Sequence, residues 1–325
     1  MKHLKIAGLC LVAVFVLSAV ATTAASARPT KPYWDQCSKV ENAGEGEWQD
    51  SLCSVKHTGS ENALWVKAEI NEANSSNQTK DFQECAEVQE TNEGFWKNAT
   101  CSSSGLPRNW AKVTQKHQFT STSGPSELLI ENSETSKFKP VKCKSDTNEG
   151  HVIGPKHVLV TVHFKGCESE VKGVVTPCKS ANAAAGEIVT KQLKGWLFYI
   201  KSTAPVEVGL WLAANGGKEF AAFECATQKV IVRSIEKISE AVEPETGSCI
   251  AGKVSSPLNA MEKQGSLAFE ENPIEKGKQA IEKFEYEGKK LHCRLKVKIG
   301  TEEFNSTQIT KEDSIEWEDA MQLNA

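Results

Sequence analysis

Three histidines recur every six residues, at His151, His157 and His163, a spacing that invites a metal-site reading. Along one strand six residues span about 20 Å, whereas zinc holds an imidazole nitrogen at about 2 Å. His157 and His163 therefore cannot share an ion. Gly154-Pro155 could fold His151 back towards His157, but no third ligand stands beside them in the sequence. The expectation is a solvated outer face, with no metal and no cofactor. Acid pairs such as Glu168/Glu170 and Glu270/Glu271 bring to mind the two carboxylates of glycosidases. With 42 acidic residues in the chain, pairs of that kind discriminate nothing. The sequence contains no G-x-S-x-G elbow, no H-E-x-x-H, no phosphate-binding glycine loop and no calcium loop. The basic row His292, Arg294, Lys296 and Lys298 could attract a polyanion. Alternating charge on an outward sheet face more ordinarily keeps that face solvated and its edge unpaired.

Cysteine is the other reactive residue here. Of eleven, Cys10 falls in the first 27 residues, and ten remain: Cys37, Cys53, Cys85, Cys101, Cys143, Cys167, Cys178, Cys225, Cys249 and Cys293. No pair shows the tight spacing of structural zinc ligands. An even count in an exported chain reads as a disulfide framework, because that compartment is oxidising. That leaves no cysteine for a nucleophile.

Export itself is written at the start of the chain. "MKHLKIAGLCLVAVFVLSAVATTAASA" has positive Lys2 and Lys5, an apolar run from Ile6 to Ala21, and a small-residue cleavage site at Ala25-Ser26-Ala27. The run is shorter than the roughly 20 residues that span a bilayer, so residues 1–27 read as a removable signal peptide. Lys2 and Lys5 leave with it, and the mature balance becomes 36 basic against 42 acidic residues. A mildly acidic protein is not a general nucleic-acid binder. The expectation is a secreted, extracellular protein with no transmembrane segment after signal removal.

What must position the cysteines is a repeated cassette. "CSKVENAGEGEWQDSLC" at 37–53 and "CAEVQETNEGFWKNATC" at 85–101 align at a shift of 48, matching Val40 to Val88, Gly46 to Gly94 and Trp48 to Trp96. "LWVKA" at 64–68 then aligns with "NWAKV" at 109–113. Two small modules follow, 28–70 and 80–116, joined by the polar linker 71–79. Units of this size bury too little apolar surface to stand alone. A disulfide closing each loop contributes about 3 kcal/mol on the loop-entropy account, and each tryptophan adds large burial. Trp48 and Trp96 read as core plugs. Trp65 and Trp110 are the candidate ligand-binding residues, as stacking platforms for sugars or peptides.

From about residue 117 the pattern changes to period two. Val158, Val160, Val162 and Phe164 share one face of "HVLVTVHF", and the even positions are apolar in "VEVGLWL" at 206–212. "LHCRLKVKI" at 291–299 alternates throughout, which predicts a single strand. "EGKK" at 287–290 predicts a hairpin turn. Residues 117–325 therefore read as an all-β domain, an antiparallel β-sandwich or barrel.

The signal segment, the C-x-K-V…W…C loop and "FKGCESE…PCKSANAAAGEI" together resemble a group of uncharacterised exported proteins of soil actinobacteria. The likeness covers most of the chain and is weakest at 114–142 and after 235. It implies the pairing 37–53, 85–101, 167–178, 143–225 and 249–293, and transfers no catalytic residue. The functional expectation is a disulfide-stabilised extracellular binding or envelope-associated protein without enzymatic signature, with a cell-wall polysaccharide or other glycan as partner. The alternatives are a secreted hydrolase of glycans or peptides acting through carboxylates, and a structural surface component.

Overall fold

The computed structural model describes residues 31–42, 44–57, 63–70, 82–88, 96–97, 102–104, 106–115, 118–131, 138–233, 246–247 and 249–325. The expected signal peptide, the 71–79 linker, the Cys85–Cys101 link and the side chain of Trp110 lie outside them. The described residues form strands and turns, with no helix.

In chain order the first strands are β1 (Tyr33–Val40), β2 (Trp65–Glu69), β3 (Phe82–Glu87), β4 (Trp110–Gln115), β5 (Gln118–Ser123) and β6 (Ser126–Ile130). Next come β7 (Val141–Cys143), β8 (Ser145–Gly154), β9 (His157–Lys165), β10 (Glu168–Val171), β11 (Val174–Ser180) and β12 (Ile188–Val189). They are followed by β13 (Leu193–Lys201), β14 (Glu207–Ala214), β15 (Glu219–Cys225), β16 (Gln228–Arg233), β17 (Thr246–Gly247) and β18 (Ile250–Ser256). The last are β19 (Glu262–Phe269), β20 (Lys283–Tyr286), β21 (Lys289–Cys293), β22 (Leu295–Ile299) and β23 (Glu302–Asn324).

Eight of these close an antiparallel barrel in the order β23, β5, β8, β9, β13, β14, β18, β19 and back to β23. A second antiparallel circuit runs β23, β22, β16, β15, β11, β10, β7, β6 and back to β23. The two are stacked along shared strands. β5 and β6 keep one register against β23 across Gly124-Pro125, and β7 and β8 continue each other across Lys144. Proline cannot donate to a ladder, so Gly124-Pro125 is a natural place for a long strand to bend from one circuit to the next. One hydrophobic cluster runs through both, from Trp34 and Trp317 to Leu128, Val230 and Val297.

The alternation seen in the sequence falls where it was expected. Val158, Val160, Val162 and Phe164 all line the interior, as do Leu210 and Leu212. Glu287-Gly288 is a two-residue turn with both φ positive, 53° and 76°, the backbone that fits the twist of a hairpin. One expectation is corrected: residues 291–299 are not a single strand. β21 belongs to a small sheet with β20 and β17, β22 belongs to the main one, and the chain changes sheets at Arg294. Cys293 sets the break, because its bond to Cys249 ties β21 down outside the barrel. There Phe284 stacks on Phe198 at 4.0 Å and Tyr286 meets the edge of Trp211 at 5.8 Å.

The amino-terminal strand joins the barrel. β1 pairs with the end of β23, Tyr33 opposite Asn324 and Gln36 opposite Met321. On its other side it pairs with β2, and beyond the end of β23 its Lys39 and Val40 pair with β4. Val40, Val66 and Ala68 pack with Val88 and Ala111 in one small cluster, so apolar residues of both cassettes meet there. Leu52 and Val55 remain exposed.

Four disulfides are described: Cys37–Cys53, Cys143–Cys167, Cys178–Cys225 and Cys249–Cys293. The expected links 167–178 and 143–225 are corrected. The four cysteines stand in one row across β7, the start of β10, β11 and β15. The N–H of Cys178 donates to the carbonyl of Cys167 at 2.9 Å, and the N–H of Cys167 donates to the carbonyl of Gly186 at 2.8 Å, so one backbone bond joins the central neighbours. The outer neighbours stand close, with Cα–Cα distances of 3.9 Å and 4.2 Å. Joining the middle two would leave Cys143 and Cys225 three strand spacings apart, about 14 Å, beyond the reach of a disulfide.

Candidate functional site

The barrel interior contains a cavity of about 120 Å³. Most of its wall is aliphatic or aromatic: Val158, Val160, Leu210, Leu212, Phe269 and Trp317 are examples. Such a lining follows from the period-two pattern, which turns every second residue inward. Two inward glycines make room for the aromatic walls. A Cβ on Gly150 would lie 2.2 Å from the Phe119 ring, and one on Gly265 would lie 2.4 Å from the Trp317 ring. Trp34, from β1, closes against Trp317 with ring centroids 5.7 Å apart.

One wall is different. Register places Asp146 on β8 opposite Ser123 on β5, which is opposite Asp313 on β23. Two residues along, Asn148 lies opposite Ser121. All five therefore share the inward face where the two circuits meet, and Asp146, Asn148, Ser121 and Asp313 line the cavity. Asn148 links the cluster. Its Nδ2 donates to Ser121 Oγ at 2.6 Å, to Asp146 Oδ1 at 3.1 Å and to Asp313 Oδ2 at 3.1 Å. Ser121 Oγ donates to Asp313 Oδ2 at 3.1 Å, and Ser123 donates to Asp146. Asn148 Oδ1, in a side chain only 5 % exposed, has no partner.

The electrostatics follow from burial. Desolvation, reinforced by the charge of Asp146, pushes the Asp313 carboxyl up to about 7, against the pull of its hydrogen bonds from Ser121 and Asn148. Burial also raises Asp146 above the usual carboxylate range, though Ser123 and Asn148 draw it back. Among the described residues, no lysine, arginine or histidine lines the cavity. At neutral pH the cluster thus holds a shared proton or an unbalanced negative charge.

The residues singled out in the sequence lie elsewhere. Trp65 opens β2, half-buried, and packs with Trp48 and Met261 around the Cys37–Cys53 disulfide. Trp48 is also half-buried, with Lys67 Nζ 4.8 Å from its ring centroid. Trp110 opens β4. Two of the three histidines have a local neighbour: His163 Nδ1 lies 3.3 Å from Glu187, and His157 meets the edge of Trp196 at 6.2 Å. Burial holds His151 below the ordinary imidazole value. No group of three or more His, Cys, Asp or Glu among the described residues is arranged to hold a metal ion. In the basic row, His292 and Arg294 both face Glu282 at 3.5 Å.

Asp146, Asn148, Ser121 and Asp313 were not singled out in the sequence. The available signal was alternation: Asp146, Asn148, Gly150 and Val152 share one parity, so an inward Val152 puts both polar residues inside. Compared with protein families, curated proteins and solved structures, the chain matches none.

Proposed function

We propose that this is an exported, non-catalytic binding protein that encloses a small, largely apolar molecule inside its barrel. The observation carrying this reading is the interior cavity of about 120 Å³, apolar on most sides and carrying one cluster of hydrogen-bonding groups. An eight-stranded barrel is just wide enough for its side chains or for one small ligand. A dry apolar cavity of about 150 Å³ binds benzene, so this one suits a ligand of a single ring. Four disulfides support an extracellular setting, and no helix among the described residues is long and apolar enough to cross a membrane. Matching bridges support the duplicated-cassette reading: Trp48 pairs with Lys56 as Trp96 pairs with Ser104.

The aspartate pair is the observation that speaks for the alternative, a carboxylate-dependent hydrolase. A cavity of this size has no room for a glycan or peptide chain, so binding fits the geometry better. Thermal unfolding of the full mature chain with benzene, toluene or indole tests the enclosure. A saturable rise in Tm is the expected result. No rise with any of the three removes the reading, and hydrolytic turnover abolished by Asp313→Asn would replace it with the alternative.

A further inference from the structure

We infer that the interior site takes a small apolar molecule bearing a protonated amine, held by Asp146, Asp313 and the free carbonyl oxygen of Asn148. This rests on the enclosure proposed above and adds the ligand's chemical class. The cluster's donors are committed: Asn148 Nδ2 and the hydroxyls of Ser121 and Ser123 already serve the carboxylates. What remains is acceptor capacity on two carboxylates, together with an amide oxygen that nothing reaches. An ammonium offers three N–H donors and no acceptor, the complement of that set. It also supplies the positive charge that the described lining residues lack. From β8 Asp146 and Asn148 face Asp313, from β5 Ser121 and Ser123, and from β19 its register partner Leu267. Asp146 is the only other titratable group among them.

A calcium ion fits less well. Calcium takes six to eight oxygens, and beyond this cluster the cavity wall is apolar apart from Thr190, Gln308 and Thr310. The amine reading uses both halves of the site, since a ring or short alkyl body lies against Val158, Val160, Leu210 and Leu212 while the ammonium meets the acids.

The amine also predicts a pH dependence. An ammonium must displace the proton the acid pair retains, so binding strengthens as pH rises through the range where Asp313 ionises. It weakens again only where the amine itself loses its proton.

The test is thermal unfolding of the full mature chain, disulfides intact, with benzylamine, benzyl alcohol, toluene or calcium chloride, at pH 5 and pH 8. Unfolding equilibrates even a ligand held deep inside the barrel. At pH 8, benzylamine should reach a given rise in Tm at a concentration at least tenfold below that of toluene or benzyl alcohol. At pH 5 that preference should shrink about tenfold. Asp313→Asn and, separately, Asp146→Asn should abolish the preference and leave the toluene response. Equal responses to benzylamine and toluene at both pH values overturn the amine inference and leave the enclosure standing. So does a preference that survives in both variants, or a millimolar calcium response without a benzylamine response. Silence from every organic probe removes the enclosure itself.

Discussion

At the residue scale, Asp313 links stability to pH in an unusual direction. A carboxyl whose folded pKa is about 7 binds a proton in the native state that the unfolded chain, near 3.9, has already lost. Its stabilising contribution is therefore complete below about pH 4 and disappears as pH rises through 7. The interval is about three pH units, which corresponds to a few kcal/mol at most, shared with Asp146. Asp313→Asn keeps the shape and removes the charge. The variant should flatten the fall in urea midpoint between pH 4 and pH 7 and exceed the parent at pH 8; a parental slope in the variant would contradict the assignment. Gly265 makes a second case. A methyl there would meet the Trp317 ring at 2.4 Å and the Ser256 carbonyl at 2.5 Å, so Gly265→Ala should cost about 1–3 kcal/mol, read from denaturant unfolding.

At the scale of elements, the cysteine row shows how register selects covalent chemistry. Four cysteines stand side by side on adjacent strands, and the close approach of the outer neighbours, Cα–Cα 3.9 Å and 4.2 Å, goes with the bonds they form. A non-reducing peptide map should join fragments containing Cys143 to Cys167 and Cys178 to Cys225. A fragment joining Cys167 to Cys178 would mean the register is wrong. The Cys37–Cys53 loop has a different task. It anchors a turn in which Asp50 accepts backbone N–H bonds from Leu52, Ser54 and Val55, at 2.9, 3.2 and 2.7 Å. Slight burial raises the Asp50 carboxyl, and those bonds bring it below its ordinary value. Replacing both cysteines with serine should lower stability by about 3 kcal/mol, measurable as a shift in urea midpoint.

At the scale of the whole molecule, the amino-terminal strand and the barrel share a core. Trp34 is 4 % exposed and sits against Trp317 inside the large hydrophobic cluster. Its backbone N–H donates to the carbonyl of Pro155 at 2.6 Å, at the β8–β9 turn. Buried amide–carboxylate contacts continue the seam, Gln36 to Asp319 at 3.0 Å and Asn324 to Asp35 at 2.7 Å. Trp34→Ala should therefore cost about 3–5 kcal/mol and lower the unfolding midpoint of the barrel itself. The methyl resonances of Leu210 and Leu212, inside the barrel, can follow it independently of the amino-terminal strands. If their midpoint stays put in the variant, the shared core is not energetically shared.

Local chemistry was legible in the sequence. Period-two alternation announced the strands, Glu287-Gly288 announced a hairpin, and the even set of cysteines announced disulfides. Each of these depends on a few neighbouring residues and on the pleat that sorts them to two faces. The tertiary structure alone decided which strands became partners, and so which cysteines bonded, where "LHCRLKVKI" divided and which polar residues were sealed inside. Ser121 and Asp313 stand 192 positions apart, and only the closure of β23 against β5 brings them together. A slip of one residue in that pairing would turn one of the two to solvent, so the site is a consequence of long-range register, which no short window of sequence contains.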